Sequence, residues 1–307
     1  MLLFETIHWY SWMAWAVILA GLLFFNEVTR YNKLTGIAFF IVLPLALGLF
    51  VWPRTSGMGT GSQTANWFAW VKTNSALIGC YIGLGLRFSK KMQARKWCYV
   101  LAPAILVLNI IEALARELEV MGMKAGVVDG MFYMGGPWNA MNVIAGIITS
   151  LTLCGWFGIV ISKDRHHDLV WPDMMWFWII AYDLWNFAYV YNCLTDRAFY
   201  SAALLISCTI PAFLFKKGAW AQHRVHTLAL YMMLMMTIPD FFVGSRYAVA
   251  STHSPAAYYA VSVIALAFNL GVGAYQVRTI VRTRKNPLKD DLYADRKAYQ
   301  DVKNANA

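Results

Sequence analysis

Runs of roughly 20 apolar residues recur along this chain from His8 to Val277, and the charged residues fall mainly in the gaps between them. At about 1.5 Å per residue, one such run matches the hydrocarbon core of a bilayer, about 30 Å thick. Inside that core every backbone N–H and C=O must bond within the protein. Repeated runs of this length therefore predict an all-α, polytopic transmembrane helix bundle with almost no soluble domain. Charged residues make up 14% of the 307 residues, against roughly 25% in a soluble domain. The 14 Trp and 16 Tyr fit the same class, since amphipathic rings collect at headgroup level.

The runs predict about nine membrane helices: His8 to Thr29, Thr35 to Trp52, Asn66 to Leu86, Trp97 to Leu114, Trp138 to Ser162, Met174 to Cys193, Ala198 to Phe215, Ala219 to Asp240 and Ala256 to Val277. The third is the weakest, because Thr73 to Leu86 reaches full length only if Lys72 snorkels to the interface. No charge lies between Asp129 and Lys163, and Gly135-Gly136-Pro137 divides that stretch, with Pro137 suited to a first helical turn. Asp129 to Gly136 then reads as an interfacial segment. Residues 1–282 form one transmembrane helical domain, and residues 283–307 form a polar cytoplasmic tail.

Basic residues set the orientation. The odd-numbered loops hold Arg30 and Lys33, then Arg87, Lys90, Lys91, Arg95 and Lys96, then Lys163 and Arg165, then Lys216 and Lys217, and the tail adds eight more. The even-numbered loops hold Arg54 and Lys72, Arg116 and Lys124, Arg197, and Arg246. The positive-inside rule places the N-terminus outside and the C-terminus in the cytoplasm, in the plasma membrane of the cell. Glu5 and the lack of a basic leader region argue against a cleaved signal peptide. The net charge of +10 does not point to nucleic acid, because no long basic surface remains to track a phosphate backbone. The lipid bilayer and a small solute or ion are the expected partners, and a homo-oligomer is compatible with the sequence.

Polar residues inside the runs need a reason, since a charge at the bilayer centre costs about 2.5–3.5 kcal/mol on insertion scales. Asp183 sits midway along its run, with Asn186 and Tyr189 continuing its side of the helix. Asn109, Glu112 and Arg116 share a face of the fourth helix, and the last two are spaced to pair. Asn139 and Asn142 are three apart at the outer start of the fifth. With Asn192 and Asp240, these residues predict a polar vestibule open to the outside, with Asp183 as its floor. The pattern points to a transporter or channel for an ion or small polar solute. Read singly, the asparagines serve equally well as packing hydrogen bonds or caps.

Weaker features have plainer readings. Cys80, Cys98, Cys154, Cys193 and Cys208 lack metal spacing and read as buried thiols. Asp164-Arg165-His166-His167-Asp168 reads as a solvated loop rather than a metal site. His223 and His226 are expected to meet water or headgroups. Met232, Met233, Met235 and Met236 read as flexible packing. Gly79, Gly83 and Gly85 fit close helix crossing. No nucleotide loop, nucleophile elbow or zinc-protease motif occurs, and no cofactor is implied.

The stretch Asp183-Leu184-Trp185-Asn186-Phe187-Ala188-Tyr189-Val190-Tyr191-Asn192 resembles an uncharacterised family of bacterial polytopic membrane proteins, a domain of unknown function. The resemblance implies a multi-pass fold and carries no activity. A retinal protein is excluded by the ninth run, which has no lysine. The rival class is an intramembrane enzyme acting on a lipid or quinone, which would need a His or Ser within reach of Asp183. A membrane receptor or an assembly subunit, with the vestibule as ligand pocket, is the third.

Overall fold

The computed structural model describes residues 2–128 and 130–306. The long helices are α1 Trp9–Tyr31, α2 Lys33–Phe50, α3 Trp67–Phe88, α4 Leu101–Met121, α5 Pro137–Leu151, α6 Trp176–Cys193, α7 Ala198–Leu214, α8 Trp220–Thr237 and α9 Pro255–Thr283. A short helix, α10 Lys297–Ala305, closes the chain. Two small antiparallel hairpins sit in loops: β1 Gly126–Val128 with β2 Met131–Tyr133, and β3 Val160–Ile161 with β4 Leu169–Val170. Asp129, the expected start of an interfacial segment, and Ala307 lie outside the described residues.

Local chemistry sets the helix boundaries. Asn66 caps α3 by accepting from the Ala69 N–H at 3.0 Å. Pro137 opens α5, so the Gly-Gly-Pro break falls where the sequence predicts. Within α2 the turn Ala38–Val42 is widened, with Leu43 N–H bonding Ala38 O. Pro44 follows at once and has no N–H to continue the regular ladder.

The expectation that the fifth helix reaches Ser162 is corrected: it ends at Leu151. Gly155 then turns the chain at φ +64°, its N–H donating to Pro287 O at 2.8 Å. The C-terminal segment docks on that turn. Asp173 accepts from the Leu292 and Tyr293 N–H groups at 2.7 and 2.8 Å, and Leu292, Tyr293 and Tyr299 are buried.

Contacts define two ends of the bundle, the outer and the inner end of the expected topology. At the outer end, Glu5 N–H bonds Ala250 O, Tyr191 Oη bonds Leu3 O, and Arg116 reaches Tyr133 of the first hairpin. At the inner end, Arg30 meets Asp168, Arg87 meets His166 and His167, and Asn306 meets Lys217. The long helices run alternately between these ends. α6 and α8 sit innermost: α6 packs on α5, α7 and α9, and α8 on α1, α3 and α7.

Among the described residues, five helical stretches are long and apolar enough to cross a membrane: Trp9–Tyr31, Lys33–Phe50, Lys96–Met121, Thr195–Leu214 and Pro255–Thr283. Their outer faces leave Phe24, Leu45, Leu49, Ile111, Phe268 and Val281 exposed. A water-soluble protein does not expose apolar surface on this scale. The polarity is inverted inside, where Lys72, Glu117, Arg197 and Arg224 are all buried.

Candidate functional site

Two cavities lie in series along the bundle axis. The outer one is walled by α3, α6, α7 and α8, from Asn66, Lys72 and Arg197 near the outer end down to Asn186 and Arg224. The inner one is walled mainly by α3, α4 and α8, from Asn109 and Leu228 down to Leu169 and Gln222 near the inner end. Arg224 and Leu228 line both. Each cavity holds about 50 Å³, room for a few water molecules. The inner wall is largely apolar, with Ile82, Ile105, Leu106 and Val225. Glycine spacing shapes it. A Cβ on Gly79 would meet Val225 Cγ2 at 2.5 Å, so that residue lets α3 and α8 approach. Gly83, expected at a crossing, faces open space instead.

The polar residues around these cavities fall into separate groups. Lys72 is buried rather than snorkelling, because α4 brings it partners. Its Nζ donates to Glu112 Oε2 at 3.0 Å, to Asn109 O at 2.8 Å and to Asn109 Oδ1 at 3.2 Å. Ser75 Oγ adds a bond to the same Glu112 oxygen at 2.9 Å. The expected pairing of Glu112 with Arg116 is therefore replaced. Arg116 Nη2 donates to Tyr133 Oη at 2.7 Å and Nη1 pairs with Glu119 at 2.7 Å, which fastens β2 to α4.

Glu117 is fully buried. Asn139 and Asn142 donate to its two oxygens at 2.6 and 2.7 Å, and Asn192 donates at 3.2 Å. Asn192 also reaches Ser262 Oγ at 3.1 Å, so this knot ties α4, α5, α6 and α9. The helices can meet there because Gly146 is bare; a Cβ would lie 2.5 Å from Leu114 Cδ2 and 2.6 Å from Trp185 Nε1.

Asp183 lines neither cavity. Its Oδ2 accepts from Thr209 Oγ1 at 2.6 Å, and Thr209 accepts from Trp220 Nε1 at 3.1 Å. Three residues on, Asn186 Oδ1 accepts from Arg224 Nη2 at 3.3 Å, and Tyr189 stands on the outer cavity wall. The helix thus splits the expected stripe: Asp183 turns to α7, while Asn186 and Tyr189 turn to the cavity. Asp240 is exposed at the outer end. Asn269 binds Thr149 at 2.7 Å and Ala181 O at 3.1 Å, a packing bond between helices.

At the inner end a cap of ion pairs replaces the expected solvated loop. Asp164, Arg165 and His167 are exposed, but Asp168 is buried. It accepts from Arg30 Nε at 2.9 Å, Arg30 Nη2 at 3.1 Å and Gln222 Nε2 at 2.7 Å. His223 and His226 are fully buried as well, against Asn26 at 2.9 Å and Thr29 at 3.2 Å, because α1 covers that face of α8. Among the described residues no group of three His, Cys, Asp or Glu could hold a metal ion, and all five cysteines are free and buried.

Residues 5–305 match a family of unknown function, DUF5692. The chain belongs to this family. No curated protein and no solved structure matches it. Membership in DUF5692 brings the whole bundle and its short tail under one family description, and it brings no activity.

Sequence reasoning passed over Arg197, Arg224, Tyr231 and Glu117. A signal existed for α8: Arg224, Leu228, Tyr231 and Met235 are spaced four, three and four apart, one face of a helix. Arg197 and Glu117 gave none, because each stands near the end of a run, where a charge is ordinary.

Proposed function

We propose that this protein is a multi-pass protein of the plasma membrane, with about nine membrane helices, that passes a small polar solute or ion between the two faces. The observation that carries the reading is the series of two cavities meeting at Arg224, which together reach from Asn66 near one end to Gln222 near the other. An apolar outer surface around a polar interior is what such a path needs. Asn109, Asn186 and Tyr189 form part of the walls, and Glu112 acts by holding Lys72 on them. Asp183, Arg116, Asn139 and Asn142 position the helices.

The outer end faces the outside in this reading. Of the basic residues that the even-numbered loops offered, Lys72, Arg116 and Arg197 are buried among protein groups, leaving Arg54, Lys124 and Arg246 exposed. The opposite end keeps Lys33, Lys90, Lys91, Arg95, Lys96, Lys163 and Arg165 on the surface. The positive-inside bias is thereby sharper than in the bare count.

The test is flux into liposomes carrying the purified chain, with potassium, choline, glycerol, acetate and phosphate as solutes. At least one should cross faster than in protein-free vesicles. Gly83→Val, which fills part of the open space of the inner cavity with a few heavy atoms, should slow that flux sharply while the protein still folds. Equal rates for every solute, with folded protein present, would remove the transport reading.

A further inference from the structure

The outer cavity presents more donors than its own walls can use. Arg197 and Arg224 both line it, are 2% and 5% exposed, and form no salt bridge among the described residues. Arg224 donates only to Tyr182 Oη and Asn186 Oδ1, each at 3.3 Å, and its Nη1 has no partner. Arg197 reaches Gln63 at 3.4 Å, and its Nε has no partner. The hydroxyls of Tyr189 and Tyr231, on the same walls, are also buried without partners. The third cation, Lys72, is neutralised by Glu112; Asp183, off the cavity wall, forms no salt bridge among the described residues, one oxygen accepting from Thr209 and the other left without a partner.

A buried guanidinium without a salt-bridged counter-ion is costly, and an acceptor carrying negative charge relieves that cost most strongly. Arginine has five donors and no acceptor, so these two side chains cannot coordinate a cation and repel one from the cavity. Its planar fork matches the paired oxygens of carboxylates and phosphates. We infer that the outer cavity binds a small oxyanion, a short carboxylate or a phosphate- or sulfate-type ion, between Arg197 and Arg224, with the Tyr189 and Tyr231 hydroxyls donating to its remaining oxygens. The volume suits a ligand of a few heavy atoms. Met232 and Met235, also on the wall, supply an apolar side for a short carbon stub. This identifies the solute class of the cavity that carries the transport reading, and so rests on the same geometry.

Equilibrium binding to the detergent-purified full chain tests it without any flux. Calorimetric titration with acetate, succinate, inorganic phosphate and sulfate, beside potassium and choline, should show saturable binding of at least one oxyanion and of neither cation. Arg224→Gln and Arg197→Gln should each weaken that binding about tenfold or more, the scale of a charge-assisted bond. Arg224→Lys should recover part of the loss. Tyr189→Phe removes one unpartnered oxygen, so it should fold as the parent does and bind several-fold more weakly. No oxyanion binding in the folded parent, affinity unchanged across these variants, or binding of the cations instead would each overturn the inference. Flux of potassium or glycerol with no oxyanion binding would discard this inference and keep the transport reading. Oxyanion binding with no flux would do the reverse.

Discussion

Single residues here are governed by what faces them, and depth along the sequence does not reveal that. Asp183 was conspicuous because it interrupts the middle of an apolar run, yet its carboxylate is held by Thr209 beside Trp220. Lys72 stands near the start of α3, where a lysine is expected to snorkel to the interface. It is instead the cation of a buried pair with Glu112. Removing one member of such a pair strands the other, at about 3–5 kcal/mol. Lys72→Met should therefore lower the thermal unfolding temperature sharply, and Lys72→Met with Glu112→Leu should recover most of the loss. Unfolding scans of the two variants side by side check this; equal destabilisation by both would show that the pair is not what holds α3 to α4. Glu117 makes the complementary case. Glu117→Gln keeps the shape but turns an amide donor toward the Asn139, Asn142 and Asn192 donors. Each donor left unsatisfied costs about 1–3 kcal/mol. The glutamine variant should melt well below the parent, and a variant that melts with the parent would mean the three asparagines are satisfied elsewhere.

At the scale of elements, hydropathy located the long helices well, because a run of 20 apolar residues has few other uses. The start of α5 was legible from Gly135-Gly136-Pro137. Its end was not, since nothing local marks Thr152 as a stop; the chain turns at Gly155 because the C-terminal segment bonds there. The inner cap was illegible for the same reason, as Asp168 is buried only by Arg30 and Gln222 from distant helices. These loop carboxylates make the cap sensitive to acid. Burial works to raise the Asp164 carboxyl, but hydrogen bonds from Lys216, the His166 N–H and Ser162 outweigh it and hold it at about 2. Burial works against Asp168 as well, and Arg30 and Gln222 again prevail, leaving it below its ordinary value. Both groups bind protons more weakly folded than unfolded. Their stabilisation is complete above the ordinary value near 3.8 and drains away as pH falls through the depressed one. Asp173 runs the other way, because its burial outweighs the Tyr293 and Leu292 N–H donors and raises it. Unfolding temperatures measured from pH 6 to pH 2.5 should therefore fall at the acid end, and Asp164→Asn should flatten part of that fall. A profile identical to the parent's would show that the Asp164–Lys216 contact is idle.

For the molecule as a whole, the alternation of the long helices between two ends reduces orientation to a choice between two arrangements. The basic residues still exposed are crowded at the end that carries Arg30, Lys90 and Lys163, and sparse at the end that carries Trp9 and the first hairpin. Short loops rich in Lys and Arg resist translocation, so the proposed orientation puts the crowded end in the cytoplasm. The native cysteines suit a labelling test, because all five are buried and leave a low background for a membrane-impermeant thiol reagent. Met58 is exposed in the loop between α2 and α3, and Lys91 is exposed in the loop between α3 and α4, on the opposite end. Met58→Cys should react in intact cells, and Lys91→Cys should react only after the membrane is opened. The two sites are separated by a single helix, so the pair also tests whether α3 crosses at all, although its polarity keeps it off the apolar set. Labelling of both sites from outside would take α3 out of the membrane and with it the wall that carries Lys72. Reversed labelling would keep the bundle and invert it, placing the cavity lined by Arg197 toward the cytoplasm and the apolar one toward the outside.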